Sequence, residues 1–403
     1  MARYLTEKEI EEAKADQGVR DKIRLGLEAT MDVGKMQPFT VDEFGGYLME
    51  RRVATEDAIR AFCNATGDLN PLYRNHEYAR KSYYGGIIAP PLFLSAIAGF
   101  TGAGIRRNKE PEYIMGGMDA GCKAEWFKTI REGDSFTVVD IPTGVIDLTR
   151  EKTPIQFLSQ GNRIYRNQRD EVVAIASGSV IAMIAPPPKE KKEGAGGMPA
   201  PKMRRFTEDE VANWYDLVEK EEIRGMEPRF WEDVNENDEL PPTHHVYDLT
   251  EYTAHMVGWG VGANNWRLLM RANKNNWRRM IDPESGLPDF GGLHMTDISA
   301  QRMGMPMANC AGIQMASWLG RMITNWMGDT GFLKKIEVQY RRPLWRSSMA
   351  LCKGKIVKKY TEGVRHLVDL ALSVEDHDAA PVIPNGTATV ALPSKHLKTW
   401  VPL

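Results

Sequence analysis

Two loops in this chain of 403 residues place acid–base side chains at matching intervals. In GDLNPLY (67–73) Asp68 precedes Asn70 and Tyr73, and in PDFGGLH (288–294) Asp289 precedes His294. The two aspartates stand 221 residues apart, and the same offset pairs Leu72 with Leu293, Tyr73 with His294, Ala79 with Ala300 and Pro91 with Gly312. An aspartate and a histidine a few residues apart on a tight loop can hold one water between them and move its proton. A backbone N–H at the start of the following helix can meet an oxygen on which negative charge develops, helped by the helix dipole. The second loop offers both groups, in His294 and Gly312. The first has Tyr73 in place of the imidazole and Pro91, which carries no N–H, in place of the glycine. Asp68 with its following Asn-Pro is also good turn chemistry in its own right.

Elements of matching kind flank both loops. A Pro-, Gly- and Lys-rich stretch at 186–204 reads as a linker between two halves of similar length. In the first half a short helix (56–65) precedes an irregular loop (66–90). The apolar run PLFLSAIAGFTGAGI then predicts a buried helix, and strand-like runs follow near 113–127, 134–146, 155–166 and 171–184. In the second half 312–328 predicts the buried helix, with strands near 332–341, 348–359, 364–375 and 386–393. EWFKTI (125–130) matches QYRRPL (339–344) at an offset of 214. A second register sets 249–265 against 53–70 and puts Ala263 at the aspartate position; the two registers differ by 26 residues. An insertion near 265–286, carrying Trp266, Arg267, Arg271, Trp277, Arg278 and Arg279, reconciles them. Ahead of both halves, Thr6 and Glu9 form a capping-box pattern for a helix over 6–30 with few apolar residues, an arm.

The stretch ATGDLNPLYRNHEYARKSYYGGIIAPP resembles the MaoC-like dehydratases, the (R)-specific enoyl-CoA hydratase group, and IREGDSF (130–136) and IYRNQRDEVVA (164–174) are similar to later strands of that family. The resemblance is strong over 40–185 and weaker over 230–395. It implies an α+β double hot-dog: two central helices, each wrapped by an antiparallel β-sheet, packed as a pseudo-dimer. The implied divisions are an N-terminal helical arm (1–40), a non-catalytic first hot-dog domain (41–185), the linker (186–204) and a catalytic second domain (205–403). The implied reaction adds water to an enoyl-CoA thioester, giving the (R)-3-hydroxyacyl product, or removes it, with no metal or organic cofactor. Asp289 and His294 would handle the water and the Gly312 N–H would face the thioester oxygen, leaving Asp68, Asn70 and Tyr73 as a vestigial site. The second loop departs from the family's GDxNPLH signature: Gly291 and Gly292 replace Asn-Pro, and Ala311 replaces the histidine before the glycine. A hot-dog acyl-CoA thioesterase and a non-catalytic acyl-binding subunit of a dehydratase complex are the alternatives.

The insertion suggests an acyl-pocket wall in Trp266 and Trp277, and CoA-phosphate contacts in Arg267 and Arg271. Gly312 is expected to let the acyl group approach the backbone. Replacement by proline should then remove the N–H without unfolding the chain, and alanine should be milder. His244 and His245 are adjacent, so in a strand they would face opposite ways, and they read as structural; GWGVG (258–262) lacks the spacing of a dinucleotide loop.

Composition removes other classes. With 52 basic and 54 acidic residues the net charge is −2, without the basic footprint of a nucleic-acid binder. The four cysteines have neither CxxC pairing nor histidines at ligand spacing, so reduced thiols in a cytoplasmic protein are expected. The charged N-terminus does not resemble a secretory signal, and no apolar run approaches the ~20 residues of a membrane span. The expected partners are an acyl-CoA thioester and a second copy in a homodimer, with neither nucleic acid nor membrane.

Overall fold

The computed structural model describes residues 3–38, 53–100, 103–105, 107, 109–151, 153–184, 201, 203–259, 270, 277–289, 292–302 and 305–396. The capping box at Thr6 and Glu9 starts α1 (Glu7–Ala15) as expected. The arm is two helices, because Asp16 both ends α1 and caps α2 (Gln17–Glu28) by accepting the Gly18 N–H at 2.7 Å. Ile23 and Leu27 of α2 pack on Val145, Ile155 and Phe157, and Arg20 pairs with Asp147 at 2.7 Å.

Ten strands form one antiparallel sheet. In chain order they are β1 (Gln37–Pro38), β2 (Met115–Trp126), β3 (Phe136–Asp147), β4 (Gln156–Asn167), β5 (Val172–Ile184), β6 (Glu239–Tyr247), β7 (Phe332–Gln339), β8 (Ser348–Glu362), β9 (Arg365–Asp376) and β10 (Pro381–Leu392). The spatial order β1-β3-β4-β5-β2-β7-β10-β9-β8-β6 is a palindrome of two equivalent five-strand sets. They join where β2 meets β7, over the pairs from Gly121–Gln339 to Glu125–Lys335.

The repeat holds at the level of elements. Helix α3 (Glu56–Thr66) corresponds to α7 (Leu249–Trp259) at an offset of 193. These two helices cross so closely that a Cβ on Gly258 would lie 2.3 Å from the Ala61 carbonyl and the Ala65 methyl. At an offset of 221, the 3₁₀ turn Pro71–Tyr73 corresponds to α8 (Gly292–Met295), and α4 (His76–Lys81) to α9 (Asp297–Arg302). The isolated bridges Ile88–Arg131 and Asn309–Trp345 repeat with offsets of 221 and 214. The loops keep the expected offset of 221, but the helices repeat at 193 rather than the expected 195, so 28 rather than 26 extra residues separate α7 from its loop. Position 263 and half of the proposed insertion lie outside the described residues.

The central helices differ. α10 (Gly312–Met327) runs 16 residues, all buried except Arg321. The first-half segment forms a 3₁₀ turn at Pro91–Phe93 and then only α5 (Leu94–Ile97), short of the expected helix. Ala98 is extended, at φ −154° and ψ 124°. Two side chains of β4 take the carbonyls a longer helix would use internally: Tyr165 donates to Ala98 and Arg163 to Gly99. Arg163 is itself neutralised by buried Asp140 at 2.7 Å. Phe100, Trp126 and Tyr165 fill the remaining space as an aromatic cluster.

Candidate active site

Asp289 is held by its backbone and by its carboxylate. Its N–H donates to the Met280 carbonyl at 2.7 Å, and Ile281 bridges Pro288, so the turn Trp277–Met280 abuts the aspartate. Its Oδ2 accepts hydrogen bonds from Thr296 Oγ1 (2.6 Å) and Ser299 Oγ (2.9 Å) at the start of α9.

His294 lies in α8. Its Nδ1 is 2.6 Å from the Asn309 carbonyl, which can only accept, so Nδ1 carries the proton and Nε2 keeps its lone pair. Lost hydration around the ring pulls its pKa down to about 4, against a smaller opposing effect of the Asn309 carbonyl. The residue's own carbonyl is anchored by the Tyr247 hydroxyl at 2.9 Å. Three residues beyond Asn309, α10 begins at Gly312. Its N-cap, Ala311, contributes no side-chain hydrogen bond, and first-turn N–H groups have no intrahelical acceptor.

The reason for glycine at 312 is not the expected one. A Cβ there would lie 2.3–2.6 Å from the ring of Tyr340, whose hydroxyl is 3.3 Å from Cys122 Sγ across the β2–β7 seam. The protein's own aromatic ring takes that approach. Proline and alanine both carry a Cβ, so neither replacement is the clean removal or the mild change expected from the sequence.

The first loop is arranged differently. Asp68 is 2% exposed, and burial pushes its carboxyl up to about 6 although Oδ1 accepts the Asn70 N–H at 3.0 Å. Asn70 Nδ2 and the Tyr78 hydroxyl donate to Asp329, just beyond α10, at 3.1 and 2.8 Å. Tyr73 is buried beside Asp68, and burial raises its phenol well above the usual value. Tyr73, Tyr84, Pro91, Met327 and Asp329 line a cavity of about 30 Å³, room for one or two waters.

The other expected residues scatter. Trp266, Arg267 and Arg271 lie outside the described residues. Trp277 carries the Arg278 guanidinium 4.6 Å above its ring. Trp318 and Trp326 are core, and His245 stacks on Trp318 at 4.3 Å. Sequence reasoning missed Tyr340 and also three buried polar side chains: Asn309, whose carbonyl holds His294, Gln314 on the first turn of α10, and His255; the register of α7 on α3 is the signal that exposes His255. Among the described residues no cluster of His, Cys, Asp or Glu is placed to hold a metal, and no helix is long and apolar enough to cross a membrane.

One continuous antiparallel sheet folded as two equivalent halves around paired helices is a double hot-dog. Over 92% of this chain and 100% of the other, it superposes on a MaoC-like dehydratase with a TM-score of 0.60 at 14% identity. A Mycobacterium tuberculosis protein with a double hot-dog fold gives 0.52 at 10% identity, over 92% of this chain and 99% of the other. At those identities the likeness speaks for the fold. In sequence, residues 46–176 match the FAS1-like dehydratase domain region. An 88-residue stretch is 35% identical to a UPF0336 protein of Streptomyces avermitilis, spanning 20% of this chain and about half (55%) of that relative. Residues 46–176 thus match a dehydratase-domain family, and the chain as a whole shares the double hot-dog fold of MaoC-like dehydratases.

Proposed function

We propose that the protein is a hydratase/dehydratase of acyl-CoA thioesters and that its second half, 205–403, carries the chemistry. The observation that supports this most is the His294–Asn309 hydrogen bond, which holds a neutral imidazole with Nε2 free to take a proton, beside the start of α10. In the hydration direction a water between Asp289 and His294 bonds through its oxygen to C3 of the enoyl group. The pair takes one proton from that water and returns one to C2, so no net proton is consumed. Charge growing on the thioester oxygen faces the Gly312 N–H. Elimination runs the same steps backwards.

In this reading the first half, 41–185, is a non-catalytic support and the arm, 1–40, packs against it. Tyr73 cannot replace an imidazole base with its phenol raised, and Pro91 has no donor. Trp266, Arg267, Arg271 and Trp277 would wall the acyl pocket and meet the CoA.

The test is enoyl absorbance with crotonyl-CoA, alongside a thiol assay for released CoA. Asp289→Asn and His294→Ala should each lose ~10²–10⁴ in rate, and Asp68→Asn should keep most activity. Release of free CoA without a 3-hydroxyacyl product would instead mark a thioesterase. A dead Asp68→Asn beside an active Asp289→Asn would move the site to the first half.

A further inference from the structure

We infer that the acyl pocket beside His294 is built for a thioester whose acyl group bears an additional oxygen acceptor, a carboxylate or a carbonyl. This rests on the hydratase reading above and narrows its substrate class.

The two halves differ at three buried positions. At the offset of 193, Phe62 corresponds to His255; at 221, Ile88 corresponds to Asn309 and Phe93 to Gln314. The first-half side chains are apolar core. Their second-half counterparts are polar yet equally buried, with His255 and Gln314 at 0% exposure and Asn309 at 6%. Each retains polar atoms with no hydrogen-bond partner among the described residues: both ring nitrogens of His255, Nδ2 of Asn309 and Nε2 of Gln314.

Asn309 touches His294 directly, Gln314 follows on the first turn of α10, and His255 stands across Tyr252 from it. The Asn309 carbonyl holds His294 Nδ1 at 2.6 Å, and the thiol of the next residue, Cys310, reaches Gln314 Oε1 at 3.4 Å. The ring of Tyr252 stands between the two imidazoles, 5.4 Å from His294 and 6.5 Å from His255. Buried polar groups without partners are rare, because each forfeits its hydration for nothing. Had packing been the only demand, the first half shows the apolar solution. The two amide groups and one nitrogen of the neutral His255 ring donate, so three of the four missing partners are acceptors; the other His255 nitrogen is itself an acceptor. Internal waters could also serve these atoms, and substrate preference separates that explanation from the proposed one.

The experiment compares kcat/KM of the full-length protein for crotonyl-CoA, the mono-CoA thioester of fumarate and 4-oxopent-2-enoyl-CoA, with binding of each measured on Asp289→Asn by calorimetry. A site built to bond a substrate group discriminates strongly against an analogue lacking it. At least one oxygenated thioester should therefore exceed crotonyl-CoA by about 10²-fold. His255→Phe and Gln314→Leu, checked for folding by thermal melting, should pull that ratio toward one. A wild-type ratio at or below one, or a ratio unmoved in both variants, overturns the inference and leaves waters as the partners. Hydration that depends on Asp289 but prefers crotonyl-CoA sinks the pocket assignment and spares the hydratase reading. Tighter binding of the oxygenated thioesters with no hydration of any does the reverse, and neither binding nor hydration removes both.

Discussion

At Asp68 the structure separates a charge from its usual purpose. The carboxyl is buried and titrates near 6, above the ordinary value near 4. The neutral form is therefore the one the fold accommodates. The group's contribution to stability is complete below pH ~4 and is lost as pH rises through about 6. Above that, an ionised Asp68 costs up to about 2–3 kcal/mol, from roughly 1.4 kcal/mol per pKa unit. Asp68→Asn, which keeps an acceptor for the Asn70 N–H, should thus raise the urea midpoint at pH 7.5, and the gap should largely close at about pH 3.5. An equal gap at both pH values would show that ionisation is not the cause. A catalytic carboxylate could not be replaced so freely, so a stabilised, active variant would match the loss of Tyr73 and Pro91 as working groups.

Among the elements, the close crossing of α3 and α7 is the tightest constraint on the site, because α7 carries His255 and Tyr252. Gly258→Val would push β-branched atoms into the Ala61 carbonyl and the Ala65 methyl. Overpacking of this kind costs about 1–3 kcal/mol, which a denaturant titration would read as a lower midpoint. Unchanged stability would mean that the crossing has slack. Strands such as β4 were legible in the sequence because every second residue turns inward, even where that residue is Ser159, Arg163 or Asn167. β6 was not, since Pro241 and Pro242 argue against a strand; it tolerates them as an edge strand with a register shift between Leu240 and Thr243. The first central helix was over-read because apolar character alone does not reveal that Tyr165 and Arg163 take its carbonyls. The proposed grouping of Asp289, His294 and Gly312 came from the repeat, which places the three residues but not the Tyr340 ring against Gly312. His255, Asn309 and Gln314 were not, because a buried polar side chain has no linear signature until its copy in the other half is known.

On the scale of the whole molecule the halves are interdependent. One apolar core contains Phe93, Leu319 and Ile323 together, and Asp329 from the second half completes the first loop. Residues 1–184 and 205–403 expressed as separate chains in one cell should co-purify in equal amounts. Either alone should aggregate, since β2 or β7 would present a bare edge. Recovery of a soluble, monomeric single half would contradict this dependence. The β2–β7 seam also sets a schedule for biosynthesis. Trp126 ends β2, and its neighbour in the sheet ends at Gln339, 213 residues later. At about 5–20 residues per second, the ribosome leaves that strand's open side without its mate for roughly ten to forty seconds. During that interval the nascent chain holds a five-strand half of the sheet with one sticky border, so a helper that shields edges on the ribosome has a defined window in which to act.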